Sequence, residues 1–151
     1  MNLNGAHLHL ILNHFPFIGT LFASLVIGFG LLRKSESIQR VGLVLFVLTG
    51  MLTIPAFLTG EPAEDVLKKF PNFSKDFIHP HEEAAEKMVW LMWVTTAFAA
   101  FVYYRMVKMG RPLRRGIEIV LVLALIVLGA AAWVNSLGGM IQHPETRETP
   151  Q

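Results

Sequence analysis

Four apolar runs, each near the length of a helix that crosses a bilayer, constrain this chain more than any other feature. They are Phe15 to Leu32, Val41 to Gly60, Met88 to Tyr104 and Ile119 to Val134, the last able to continue past Asn135 to Ile141. A spanning helix needs roughly 20 predominantly apolar residues at about 1.5 Å of rise each. None of the runs alternates as a membrane β-strand would. Helices of a soluble bundle would each keep a polar face, and Ile119 to Trp133 has none. The expectation is an all-α, integral membrane four-helix bundle of antiparallel up-down topology. Its spans fall at about residues 10–32, 41–60, 82–107 and 117–141 of a single domain covering residues 1–151.

Composition narrows the classes further. Only 16 % of residues are charged, against about 25 % in soluble domains, which disfavours a soluble enzyme, a nucleic-acid binder and a disordered tail. The absence of cysteine excludes disulfides and thiolate metal sites and argues against iron–sulfur clusters. Phosphate-binding loops, dinucleotide fingerprints and nucleophile elbows are absent too. No chain of charges runs through the spans, as a proton pump or ion transporter would need.

The charges are sorted by side. Arg33, Lys34, Arg40, Arg105, Lys108, Arg111, Arg114 and Arg115, eight of the 13 basic residues, share one side with only Glu36 and Glu118. The other side carries the remaining nine acids. Positive-inside bias places the basic side in the cytoplasm, so both termini and the long second connection are expected in the periplasm of a bacterial inner membrane. The net charge of +2 then reflects topology, and the expected surroundings are lipid rather than nucleic acid. Met1 to His9 has no Lys or Arg and no cleavage site follows, so the first span is expected to be retained. Trp90, Trp93 and Trp133 near the outer ends, and Tyr103 and Tyr104 at the inner end, suit aromatic belts.

All six histidines fall on the acidic side: His7, His9 and His14 before the first span, His79 and His81 before the third, His143 after the fourth. Antiparallel packing would bring these groups to one end. Carboxylates join them: Glu61, Glu64 and Asp65 after the second span, and Glu82, Glu83 and Glu86 before the third. On continuous helices His7 and His14 would share a face, as would His79, Glu82 and Glu86, and Glu61 with Glu64. Pro80 is suited to open the third helix, where Glu82 and Glu83 would also favour the helix dipole. Pro55 should kink the second span by freeing the carbonyl of Met51, with Thr49 and Thr53 near enough to satisfy it.

Two chemistries fit this constellation. In one, two neutral imidazoles from different helices ligate a b-type haem, with Gly19, Gly60, Gly138 and Gly139 making room or simply packing helices closely. His14 and His81 are the expected axial pair, with His9, His79 and His143 as alternates. In the other, His14, His81, Glu61, Glu64, Glu82 and Glu86 supply ligands for non-haem iron, zinc or copper. A third possibility is a structural accessory subunit of a respiratory or photosynthetic complex.

The stretch His9-Leu10-Ile11-Leu12-Asn13-His14-Phe15-Pro16 resembles the opening signature, His-Pro-x-x-x-His-Phe-Pro, of an uncharacterised four-helix bacterial membrane-domain family of cytochrome b-like character. Leu10 stands where that family has proline. Thr53 to Gly60, His81 and Ser136-Leu137-Gly138-Gly139 resemble its remaining landmarks, so the likeness spans all four helices. Members occur joined to Rieske-type and c-type cytochrome domains. The resemblance therefore implies a redox setting, with quinone, a periplasmic cytochrome or a larger respiratory complex as partner.

Between the second and third spans, Val66, Leu67, Phe70, Phe73, Phe77 and Ile78 recur at helical steps among Lys68, Lys69, Lys75 and Asp76. This predicts a short amphipathic extramembrane segment on the outer leaflet, broken at Pro71-Asn72 and serving as a lid, a docking surface or a plain connector.

Overall fold

A computed structural model describes residues 4–70 and 75–143, so Pro71-Asn72, Phe73 and the C-terminal tail lie outside the described residues. The described residues contain six helices and no strand: α1 (Gly5–Leu12), α2 (Phe15–Leu32), α3 (Glu36–Leu58), α4 (Gly60–Leu67), α5 (Lys75–Met109) and α6 (Arg114–Gln142). α1 leads into α2 and α3 into α4, so these make four rods, each long and apolar enough to cross a membrane.

Prolines mark two breaks in the rods. Pro16 has no N–H for the carbonyl of Leu12, and Pro62 none for that of Leu58; α1 ends at Leu12 and α3 at Leu58. The ladder continues beside each gap. Asn13 donates to His9 O (2.8 Å) and Ile18 to His14 O (3.0 Å), while Thr59 donates to Pro55 O and Ala63 to Thr59 O (both 3.1 Å). The first break means that His7 and His14 do not share one continuous helix face.

Two proline expectations need correction. Pro80 lies inside α5, which begins at Lys75. There it deletes one ladder bond near the helix start, while Asp76 in the first turn favours the dipole. Pro55 is interior to α3, but Thr49 and Thr53 do not reach Met51. They donate to Leu45 O (2.8 Å) and Thr49 O (3.0 Å), because a helical hydroxyl reaches the carbonyl one turn behind its own residue.

The turn from α2 to α3 is a Schellman cap. Ser35 N–H bonds Gly30 O (3.0 Å) and Lys34 N–H bonds Leu31 O (3.2 Å). Lys34 occupies the left-handed position with φ of 51°, where a side chain is strained and glycine is not. Lys34→Gly is therefore expected to stabilise the protein by about 1 kcal/mol, read as a higher unfolding midpoint in detergent.

α2 packs on α3 and α6, and α5 packs on α3 and α6. Close approach rests on small residues, as membrane helices favour: Gly19 receives Thr49, Gly42 receives Ile27, and Gly50 receives Thr96. The core between the rods is Ala23, Ile27, Leu43, Phe46, Met92, Ala99, Val102, Met106, Ile117, Val120, Ala124 and Val127, all fully buried. Outside it, Phe22, Leu25, Phe29, Leu48, Val94, Phe101, Val122 and Trp133 are exposed. Only 33 to 39 % of each rod's most apolar stretch is buried within the protein. Arg40 pairs with Glu36 and reaches Met106 O at 3.5 Å, so the two basic connections meet at one end.

Candidate functional site

At the other end the rods part around an open cleft of about 730 Å³. α1 and α4 wall one side, and the start of α5 and the end of α6 the other. Gly5 lies so close to Pro62 that an added Cβ would sit 2.7 Å from its backbone, which seats α1 on α4 beside the opening.

All nine residues expected from the sequence to bind a cofactor or metal line this cleft: His9, His14, His79, His81 and His143, with Glu61, Glu64, Glu82 and Glu86. Their roles within it differ. His14 is exposed at the break before α2, with Nδ1 3.1 Å from Leu10 O. His79 is exposed and pairs with Glu83 at 3.6 Å, rather than with Glu82 or Glu86. His143 is exposed just beyond α6. Glu64 and Asp65 bind Lys68 at 3.2 and 3.0 Å, and these bonds hold the Lys68 ammonium above its ordinary pKa. His7 stays outside the cleft lining, its Nδ1 2.9 Å from Asn4 Oδ1.

His9 and His81 are different: both are partly buried. His9 Nδ1 lies 3.2 Å from Ala56 O and 3.3 Å from Thr59 Oγ1. His81 Nδ1 lies 3.1 Å from Val134 O. A carbonyl oxygen has no hydrogen to give, so Nδ1 carries a proton in both rings, and in the neutral ring Nε2 keeps its lone pair. The two rings stand on different rods, α1 and α5, and both line the cleft. This is the arrangement in which a backbone acceptor fixes tautomer and ring orientation for ligation through the other nitrogen.

Gly138 leaves room for the His81 ring, whereas a side chain at Gly60 would meet His9 at ordinary contact distance. A Cβ on Gly138 would lie 3.1 Å from His81 Cε1, and one on Gly60 3.9 Å from His9 Cε1. Gly138→Val is expected to push the His81 ring off Val134 O, seen in histidine ¹⁵N spectra as a mixture of ring tautomers in place of one. An unchanged single Nδ1–H tautomer would refute the packing role of Gly138.

Three features of the site were not legible beforehand. The carbonyls of Ala56 and Val134 belong to the backbone and carry no residue signature. The single Thr59 hydroxyl proton is shared between Ala56 O (2.9 Å) and Pro55 O (3.0 Å), and its only forewarning is Pro62, next to the break. Asn13 lines the cleft with Oδ1 buried and unpaired. Beside the cleft Trp93 meets Phe57 and Trp90 edge to face, at centroid distances of 6.1 and 5.5 Å.

Among the described residues no three His, Asp or Glu side chains converge as a set for one metal ion. Comparisons with known protein families, with characterised proteins and with solved structures find no match for the chain.

Proposed function

We propose that the four rods span a bilayer antiparallel, and that the protein is a small membrane redox carrier holding a b-type haem between His9 and His81. The observation that carries this reading is the pair of partly buried imidazoles on separate rods, each with Nδ1 on a carbonyl, which leaves Nε2 as the ligating nitrogen of the neutral ring. The cleft of about 730 Å³ lies within the roughly 300–1,000 Å³ range of small-molecule and cofactor sites. Haem asks the protein for only two donors, whereas a non-haem centre of the expected His/Glu kind asks for three or more.

Bound there, the haem iron would supply one-electron chemistry. The chain's own part is to hold two neutral imidazoles in fixed orientation and to shield them. Ala56 O and Val134 O fix the rings, Thr59 supports His9, and α1 seated on α4 limits access from one side.

Insertion in a membrane is supported by the exposed apolar girdle, which is far larger than a water-facing surface tolerates. The eight clustered basic residues favour the cytoplasmic face for the far end, which directs the cleft to the periplasm of a bacterial inner membrane. The acidic rim at Glu61, Glu82, Glu83 and Glu86 suits a periplasmic partner with a basic face, such as a cytochrome. Quinol within the bilayer would serve on the other side of the transfer.

The test is the absorption spectrum of the detergent-purified protein, oxidised and reduced, beside elemental analysis. A Soret band with a sharp reduced α-band is expected. A colourless protein with stoichiometric iron, zinc or copper would overturn haem in favour of the non-haem centre. A metal-free, colourless protein would leave the role of accessory subunit in a larger respiratory or photosynthetic complex.

A further inference from the structure

Beneath the cleft floor lies a layer of interior hydroxyls: Thr20 and Ser24 on α2, Thr49 and Thr53 on α3, Thr95 and Thr96 on α5. Contacts across glycines put the three helices at one level, because Gly19 receives Thr49 and Gly50 receives Thr96. The layer adjoins the cleft directly. Pro16, one turn before Thr20, and Thr53, one turn after Thr49, both line it.

Three of the six hydroxyls bond as helical hydroxyls usually do. Thr49, Thr53 and Thr95 donate to the carbonyls of Leu45, Thr49 and Leu91 at 2.8, 3.0 and 2.8 Å. Thr20, Ser24 and Thr96 do not, and their buried oxygens meet no protein partner. Thr20 is fully buried and Ser24 only 5 % exposed. Buried polar groups are normally met by protein or by ordered water, and here Thr20 and Thr96 lie unmet at one level below the cleft, with Ser24 unmet one turn deeper. Farther along the rods, Ile27 and Leu43 are fully buried and apolar, which closes the layer on that side.

We propose that Thr20, Ser24 and Thr96 hold internal water, so that the cleft continues into the bundle as a blind hydration pocket sealed by Ile27 and Leu43. Hydroxyls and water both donate and accept, so such a pocket lets protons pass between the cleft and the interior while blocking a through-path. The pocket rests on the side-chain geometry and is independent of the cofactor.

Water-edited solid-state NMR of the intact protein in lipid bilayers tests this. Polarisation from water is expected to reach Thr20, Ser24 and Thr96 about as fast as it reaches Thr53 at the cleft, and much faster than Ile27 or Leu43. Thr20→Val, nearly the same shape without the hydroxyl, is expected to lower the unfolding midpoint by removing a water partner and to slow the transfer at Ser24. Transfer to Thr20 and Ser24 as slow as to Ile27 would overturn the proposal, as would a raised midpoint in Thr20→Val, the signature of a dry unpaired hydroxyl relieved. The wild-type spectra decide the matter even where a variant does not fold.

Discussion

For the haem proposed above, His9→Ala and His81→Ala are each expected to abolish its low-spin spectrum, while His14→Ala leaves it in place. The reason is burial. His9 and His81 are partly buried, and Ala56 O and Val134 O hold their Nδ1 protons, so each offers a fixed Nε2 at no cost of reorientation. His14 also has Nδ1 on a carbonyl, that of Leu10, but it is exposed at the break between α1 and α2. Thr59→Val tests the support of His9 more gently. It removes the hydroxyl 3.3 Å from His9 Nδ1 and should weaken haem binding by about 10-fold, the lower end of the effect of losing an outer partner of a ligating histidine. Loss of the spectrum in His14→Ala with retention in His9→Ala would restore His14 and His81 as the axial pair.

The second large effect concerns the glycines of the helix contacts, and it has opposite signs at two positions. Gly42→Ala places a Cβ 2.5 Å from Ile27 Cγ1 and 2.9 Å from Ile27 N. Ile27 is fully buried, and a backbone nitrogen cannot swing aside, so α2 and α3 must separate. Overpacking of this kind costs about 1–3 kcal/mol. Gly129→Ala, by contrast, meets nothing within 4 Å and lies inside α6. It should stabilise by roughly 0.5–1 kcal/mol through helix propensity. Each kcal/mol moves the midpoint of a chain this size by about 2–4 °C, so thermal unfolding in detergent separates the two variants clearly. Equal midpoints would show that α2 and α3 do not approach at Gly42.

Much of the architecture was readable from local chemistry. The four apolar runs correspond to four rods long and apolar enough to cross a membrane. Prolines at 16 and 62 fall four residues past the last helical residues Leu12 and Leu58, although the same missing amide at Pro55 and Pro80 leaves α3 and α5 continuous. Pro80 misled because proline marks a helix's first turn only on average. Near a helix start a single missing ladder bond is affordable, and α5 begins earlier, at Lys75. The segment after Thr59 reads as amphipathic, and its first part is α4, whose Ala63 is buried while Glu61 is exposed.

The candidate site was legible as a set of residues and not as an arrangement. Histidines and carboxylates confined to one side of the spans had to meet if the rods packed with short connections, and the expected nine line one cleft. Nothing in the order of residues ranks His9 above His14, since both precede the first span and both carry the same ring. The ranking comes from burial, because other rods cover His9 and His81 while His14 stays exposed at the break before α2. Nor does a threonine's position say whether its hydroxyl bonds back along its own helix, as Thr49 does, or stays unpaired like Thr20. Apolar length, proline placement and charge sidedness are properties of neighbouring residues, and they suffice for rods and ends. Hydrogen-bond partners and burial depend on what the other rods bring within about 3 Å, and only packing in three dimensions supplies that.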